Sequence, residues 1–417
     1  MNPLPLKTLL LGLKLYSDSP GWTHLDSIQE LAQLAKTAGL EVVESVTQAR
    51  ENPHPRFYVG QGKFEEIKAL VIELGIQLVI TDDELTPSQN KSLEGELKIK
   101  VLDRTGLILD IFAQRARTAE AHLQVELAQL KYLLPRLTRL WTHLSRLGGG
   151  IGTRGPGETQ LEVDKRQIQD RILVIEKKLI KTQVHRQVLR QKRENVTILT
   201  GAIIGYTNAG KSTLLNTLTD SHVLAEDALF ATLDPTTKKI VLPNKDQVLV
   251  TDTVGFIQKL PHQLVNSFRA TLEEVTVANF LIHVVDLSNP KFPALIETTH
   301  GLLKEIKAEA IPQIYVFNKS DQVSQETLES LDLTPYSPHV IMSAHNPEHV
   351  SLLHKALVTF LNQDHKILTL SLPYSQMNLL DLFHQYGIVL EEEYAEKIHL
   401  KVNIHALIAD KILSMGA

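Results

Sequence analysis

The stretch Gly205-Tyr-Thr-Asn-Ala-Gly-Lys-Ser-Thr213 constrains this chain more than any other. It reads G-x-x-x-x-G-K-S, follows an apolar run from Val196 to Ile204, and leads into Leu214-Leu-Asn-Thr-Leu218. A buried strand, a glycine turn and a helix start in that order form a phosphate-binding loop. Gly205 and Gly210 let the backbone curl so that its N–H groups face one anion, and the helix N-terminus adds partial positive charge there. Lys211 reaches the β- and γ-phosphates in this reading, and the Ser212 hydroxyl sits on Mg²⁺. The competing reading, a chance match in an ordinary glycine turn, weakens with each element downstream.

Asp252-Thr-Val-Gly255 follows a second apolar run, Gln247 to Val250. Asp252 can hold Mg²⁺ through water, and the Gly255 N–H can meet a γ-phosphate. Asn318-Lys-Ser-Asp321 follows a third run, Gln313 to Phe317. A fixed carboxylate at Asp321 accepts from guanine N1 and N2, where adenine offers no donors, so such a site rejects adenine strongly. Ser343-Ala-His345 fits the backbone loop that contacts the guanine oxygen. Phe230-Ala-Thr-Leu-Asp-Pro235 offers Thr232 as a switch threonine that ligates Mg²⁺ only beside a γ-phosphate. Lys211, the Thr232 and Ser212 metal ligands and the Gly255 amide then neutralise the transferring phosphoryl group. Phe256 follows Gly255, and a phenyl ring cannot orient water as glutamine can, so basal turnover should be slow. Asn208 is a candidate ligand for a K⁺ ion standing in for an arginine finger, or a residue that merely stabilises its own loop.

A chain of 417 residues predicts two to four domains. No window approaches eighteen uninterrupted apolar residues, so no membrane-spanning helix is expected. Met1 to Tyr16 lacks the basic start and small-residue cleavage site of a signal peptide and reads as a strand. With no cysteine, disulfides, a thiol nucleophile and thiolate-bound zinc are excluded. The expected compartment is the cytoplasm. Charge is unevenly spread. From Ala113 to Glu194 there are 17 Lys and Arg against 8 Asp and Glu, a net +9 within a chain whose total is −5. A basic arm on an acidic body points to a polyanion; its alternative is a solvated interdomain spacer.

Residues 1–112 read as a small α/β domain, with strands at Leu6–Leu15, Leu40–Val46, Ile76–Ile80 and Ile99–Leu102 alternating with helices. Gly60-Gln-Gly-Lys63 is either an anion-binding turn or a plain strand–helix connection. Asp82-Asp-Glu84 is either an acid–base pair or a solvated strand end. From Thr105 to Arg146 the period is helical, with Pro135 placed to kink it. Gly148 to Gly157, with six glycines and a proline, cannot be helix, and helix resumes near Glu158 and runs to about Asn195. Residues 113–195 are thus a basic helical hairpin with a glycine tip at 148–157. Residues 196–363 suit a doubly wound, mainly parallel sheet, and 364–417 a small α+β domain.

Tyr58-Val-Gly-Gln-Gly-Lys63, the glycine tip continuing into Glu158-Thr-Gln-Leu-Glu162, and Asp252-Thr-Val-Gly-Phe-Ile257 with Leu260-Pro261 resemble the HflX family of GTPases. The resemblance covers nearly the whole chain. It implies GTP/GDP contacts from Gly205, Tyr206, Thr207, Asn208, Ala209, Gly210, Lys211 and Ser212. It extends them to Phe230, Ala231, Thr232, Leu233 and Asp234, and to Asp252, Thr253, Val254 and Gly255. Asn318, Lys319, Ser320 and Asp321, with Ser343, Ala344 and His345, complete the set. Ser212 and Thr232 are the implied Mg²⁺ ligands. The family binds ribosomes, chiefly the large subunit, and splits stalled ones under stress, which gives the basic hairpin ribosomal RNA as its partner. A second reading is a GTP-controlled switch that binds a protein partner, at the membrane surface in one version. The chain is expected to be a monomer with no DNA partner and at most a peripheral membrane contact.

Overall fold

The computed structural model describes residues 5–15, 22–140, 160–194, 198–219, 229–230, 232–244, 246–259 and 269–415. The glycine tip, Leu260-Pro261 and Ala231 lie outside the described residues. The chain divides into two compact units, and segments after the phosphate loop are shared between them. The first comprises Met1–Gln183, Glu226–Asp234 and Phe256–Ala270; the second comprises Val184–Ala225, Pro235–Gly255 and Thr271–Ala417.

In the first unit, β1 (Lys7–Leu15), β2 (Glu41–Arg50), β3 (Leu78–Thr81) and β4 (Lys100–Asp103) form a parallel sheet in the order β2-β1-β3-β4. The helices α1 (His24–Thr37), α2 (Gln61–Glu73) and α3 (Pro87–Leu97) connect these strands. Thr23 and Thr86 begin α1 and α3 with reciprocal capping boxes to Asp26 and Gln89. Gly60 precedes α2 as a plain cap position, its amide donating to Gln48 Oε1 at 2.8 Å, which matches the strand–helix reading of that turn.

The helical period that runs on from Thr105 hides a break. One helix, α4 (Arg104–Arg115), ends where Ala116 turns extended; a second, α5 (Ala119–Leu140), starts afresh with the Thr118 hydroxyl accepting from the Ala121 amide at 3.1 Å. Pro135 sits inside α5, which continues to Leu140. The return arm is α6 (Gln160–Glu194). Arg171 joins the arms through a two-pronged pair with Glu126, at 2.6 and 2.9 Å. The first arm, α5, roots in the sheet through Asp103, which accepts from the Tyr132 hydroxyl and Arg136 Nη2, both at 2.8 Å.

The strand end at Asp82 is buried, and here the solvated reading fails. Arg104, 1% exposed, pairs with Asp82 at 2.8 Å and also with Glu30. Ser27 donates to Asp82 at 2.6 Å, and Lys259 Nζ lies 2.5 Å from Asp82 and 2.6 Å from Asp83. Asp83 also takes the Tyr58 hydroxyl. Burial pushes the Asp82 carboxyl up, but Arg104 and Lys259 together hold it below its ordinary range. It is a structural hub for ion pairs.

The second unit has a six-stranded sheet in the order β10-β9-β8-β5-β7-β6. Its strands are β5 (Leu199–Gly205), β6 (Thr236–Val241), β7 (Gln247–Asp252), β8 (Phe280–Asp286), β9 (Gln313–Asn318) and β10 (His339–Ile341). All pairs are parallel except β6 with β7, and the core centres on Ile203, Val250, Ile282 and Val316. The chain closes with an antiparallel sheet, β11 (His365–Leu372), β12 (Ile388–Tyr394) and β13 (Ile398–His405), in which β13 is central. Among the described residues no helix is long and apolar enough to cross a membrane.

Candidate guanine-nucleotide site

Parallel strands with helical crossovers bring every strand's C-terminal end to one edge of the sheet. β5 ends in the glycine loop, β7 in Asp252, β9 in Asn318 and β10 just before Ser343. Chemistry-bearing residues far apart in sequence, from Gly205 to Ala344, therefore meet at one edge.

The loop returns into α7 (Lys211–Thr219) at Gly210, whose φ is +95°. A Cβ there would stand 2.2 Å from Asn318 Nδ2, so only glycine lets that amide approach. Asn318 Nδ2 donates to the Ala209 carbonyl and its Oδ1 accepts the Ala344 amide, both at 2.9 Å. Buried Asn318 thus ties the glycine loop, the Asn318–Asp321 tetrad and the Ser343–His345 loop together. Thr217 adds a second tie, donating to the Ala344 carbonyl at 3.0 Å.

Lys211 Nζ donates to the Tyr206 carbonyl at 2.7 Å. Burial pushes its pKa down to about 8, against the opposing pull of Asp252. Gly255 lies against this lysine: a Cβ there would be 2.8 Å from Lys211 Nζ and 2.9 Å from Thr207 Cα. The Asp252-x-x-Gly255 turn therefore passes over the phosphate loop as closely as a backbone can. Thr253 is fully buried and donates to the Ile203 carbonyl at 2.6 Å, so its hydroxyl binds β7 to β5. The Ser212 hydroxyl lies 2.7 Å from an Asp252 carboxylate oxygen. A hydroxyl and a carboxylate at that spacing are hard oxygen donors, and they fit Mg²⁺ with most of its waters retained.

At the other end, the Asp321 carboxylate is exposed and held below its ordinary range, first by a hydrogen bond from Ser343, with His345 and Lys319 contributing. It remains an acceptor at neutral pH. Lys319, at φ +62°, is anchored by its ammonium to Asp286 at 2.7 Å, which fixes the turn that presents Asp321.

Phe230, Thr232, Leu233 and Asp234 belong to the first unit, where Phe230 and Leu233 are buried. Phe256 is buried too, in keeping with its unsuitability for orienting water. Lys259 escaped sequence reasoning altogether, because nothing local marks a lysine whose partners lie 176 and 177 residues earlier.

The sequence matches known proteins along most of its length. A family model described as the GTP-binding GTPase N-terminal region matches residues 25–113, the corresponding middle-region model matches 115–193, and a model described as a 50S ribosome-binding GTPase matches 200–319. A GTPase HflX of Caldanaerobacter subterraneus is 46% identical over 390 residues, covering 93% of this chain and 89% of the relative. A GTPase HflX of Escherichia coli is 42% identical over 387 residues, covering 93% and 91%. A solved GTP-binding protein of Sulfolobus solfataricus in complex with GDP aligns at 26% identity and a TM-score of 0.45, over 86% of this chain and 99% of that one. With relatives this similar over nearly their whole length, the chain belongs to the HflX family of GTPases and is a GTP-binding hydrolase.

Proposed function

We propose that GTP hydrolysis in this chain drives an association with the large ribosomal subunit, made through the basic hairpin of residues 113–195 and ending in the splitting of stalled ribosomes. One observation carries the reading: on α6, Arg166, Lys177, Lys178 and Lys181 are exposed, within a segment of net charge +9. Phosphate backbones bind such an arm through charge and release of counterions. The match to a 50S ribosome-binding GTPase model agrees with it. The second reading, a switch that binds a protein partner, leaves this charge without a purpose. Residues 196–363 act as the nucleotide domain, 1–112 and 364–417 flank the function, and the setting is the cytoplasm.

Cosedimentation with large subunits tests this reading. Binding should be tighter with a non-hydrolysable GTP analogue than with GDP, and should weaken when residues 148–157 are shortened. The logarithm of affinity should fall with the logarithm of salt by about 0.7–0.9 per phosphate contacted. Binding that ignores salt and nucleotide, or survives removal of the RNA by nuclease, contradicts it and favours the protein-partner switch.

In the hydrolytic step, Lys211 and the loop amides hold the β- and γ-phosphates, and the Gly255 amide meets the γ-phosphate. Ser212 and Thr232 would hold Mg²⁺, with Asp252 acting through water; the ion supplies neutralising charge to the phosphoryl oxygens. Replacing Ser212 by Ala should cost at least the 10–100-fold in magnesium-dependent nucleotide affinity that loss of even an outer-shell partner brings, about 1.4–2.7 kcal/mol. Titration of the variant with and without Mg²⁺ checks this, and an unchanged magnesium effect contradicts the assignment. Asn208 lies at φ +62° in the loop. Faster single-turnover hydrolysis in potassium than in sodium chloride would support its role with K⁺, and equal rates would end it.

A further inference from the structure

Asp234 lies two residues after Thr232, yet its carboxylate is engaged at a helix end. One oxygen accepts the Arg117 and Thr118 amides, at 3.0 and 3.2 Å, and the other accepts the Thr118 hydroxyl at 2.5 Å. These donors sit in the break between α4 and α5, where Thr118 is itself the cap of α5. On the other side of Thr232 in sequence, the buried Phe230 ring meets Phe112 of α4 edge-on, with centroids 4.7 Å apart. Thr232 is therefore bracketed by two anchors, and both fall on residues 112–118. That stretch is the root of α5, the first arm of the basic hairpin.

We propose that Asp234 is a latch coupling the nucleotide to the hairpin: capture of Thr232 by nucleotide-bound Mg²⁺ and capture of Asp234 by the root of α5 compete. The inference rests on the reading of Thr232 as the switch threonine. The tether is short, since two residue steps span at most about 7 Å, so a displacement of Thr232 is passed to Asp234. A carboxylate at a helix N-terminus is favoured by the donors and the partial positive charge there, so the closed latch opposes GTP engagement and GTP must overcome the cost of opening it. Coupling of this kind is reciprocal. A polyanion that binds the arm and shifts its root changes the preference between GTP and GDP by the factor with which the nucleotide changes its binding.

Hydrogen exchange on the full chain, loaded with GDP and Mg²⁺ or with a non-hydrolysable GTP analogue and Mg²⁺, reads the latch at the Arg117 and Thr118 amides. The affinity ratio of analogue to GDP provides a second readout. Two variants open the latch from opposite sides. Asp234→Ala removes the acceptor. Thr118→Asp keeps a good cap for α5 while setting a like charge against Asp234, and it alters no residue assigned to the nucleotide. In the wild type, exchange at 117 and 118 should be several-fold faster with the analogue. In both variants it should be fast with either nucleotide, and the affinity ratio should move toward the analogue by about 2–30-fold, the value of a helix cap. Equal wild-type exchange in the two states overturns the proposal. So does a ratio shift in Asp234→Ala that Thr118→Asp lacks, because Asp234 would then serve the nucleotide directly. A Thr232→Ala chain that keeps its full magnesium-dependent preference for the analogue removes the threonine reading underneath, and that failure is seen without reference to exchange at 117 and 118.

Discussion

Replacing Asp321 by Asn should lower affinity for GDP and GTP by about 10²–10⁴-fold. The carboxylate is exposed, turned outward by the Lys319 anchor to Asp286 and kept ionised by Ser343. In the guanine reading it accepts two hydrogen bonds, from N1 and N2. Hydrogen bonds to a charged group are worth about 1.5–3 kcal/mol each, so losing two costs about 3–6 kcal/mol. The chemistry also sets a direction for the residual specificity. Xanthine carries an acceptor oxygen where guanine carries its amino group, and an asparagine amide can donate to it. The variant should therefore bind xanthine nucleotides better than guanine ones, reversing the wild-type order. Competition titrations with both nucleotides measure this. A variant that retains guanine preference would place the base elsewhere.

The other large effect is on stability. Arg104→Met should destabilise the first unit by about 3–5 kcal/mol, because Asp82 and Glu30 would stay buried without their guanidinium. Calorimetric melting should show the first unit's transition falling by about 6–20 °C. The wild-type network should also weaken in acid. Asp82 has a folded pKa held below the usual 3.8 by Arg104 and Lys259, after burial is overcome. Its contribution is complete above the unfolded value and is lost as pH falls through the folded one, so the loss begins below about pH 4. A melting change of only a degree or two would mean that the pair is solvated.

The nucleotide site was legible because phosphate and base recognition demand particular residue types within a few positions of a strand end. Gly210, Lys211, Ser212, Asp252 and Asp321 each carry their reason locally. Asn318 was legible as part of a motif, but its work proved to be the joining of Ala209 to Ala344, over separations of 109 and 26 residues. Asp82 looked like a solvated strand end because its partners are distant: Arg104 is 22 residues away and Lys259 is 177. Pairings of that range leave no periodicity to read. The break between α4 and α5 was hidden for a different reason. Apolar residues on both sides keep a helical spacing, and one extended residue at Ala116 does not disturb the pattern. In the closing sheet, the central place of β13 depends on pairing partners that the sequence pattern does not name.

Calorimetric titration of the full chain with GDP and with ADP, each with Mg²⁺, tests the central claim most directly. The account predicts GDP bound at least about 10³-fold more tightly, because a site built around an acceptor carboxylate leaves that group unpaired against adenine. Equal affinity for the two, or measurable heat from neither, would contradict it.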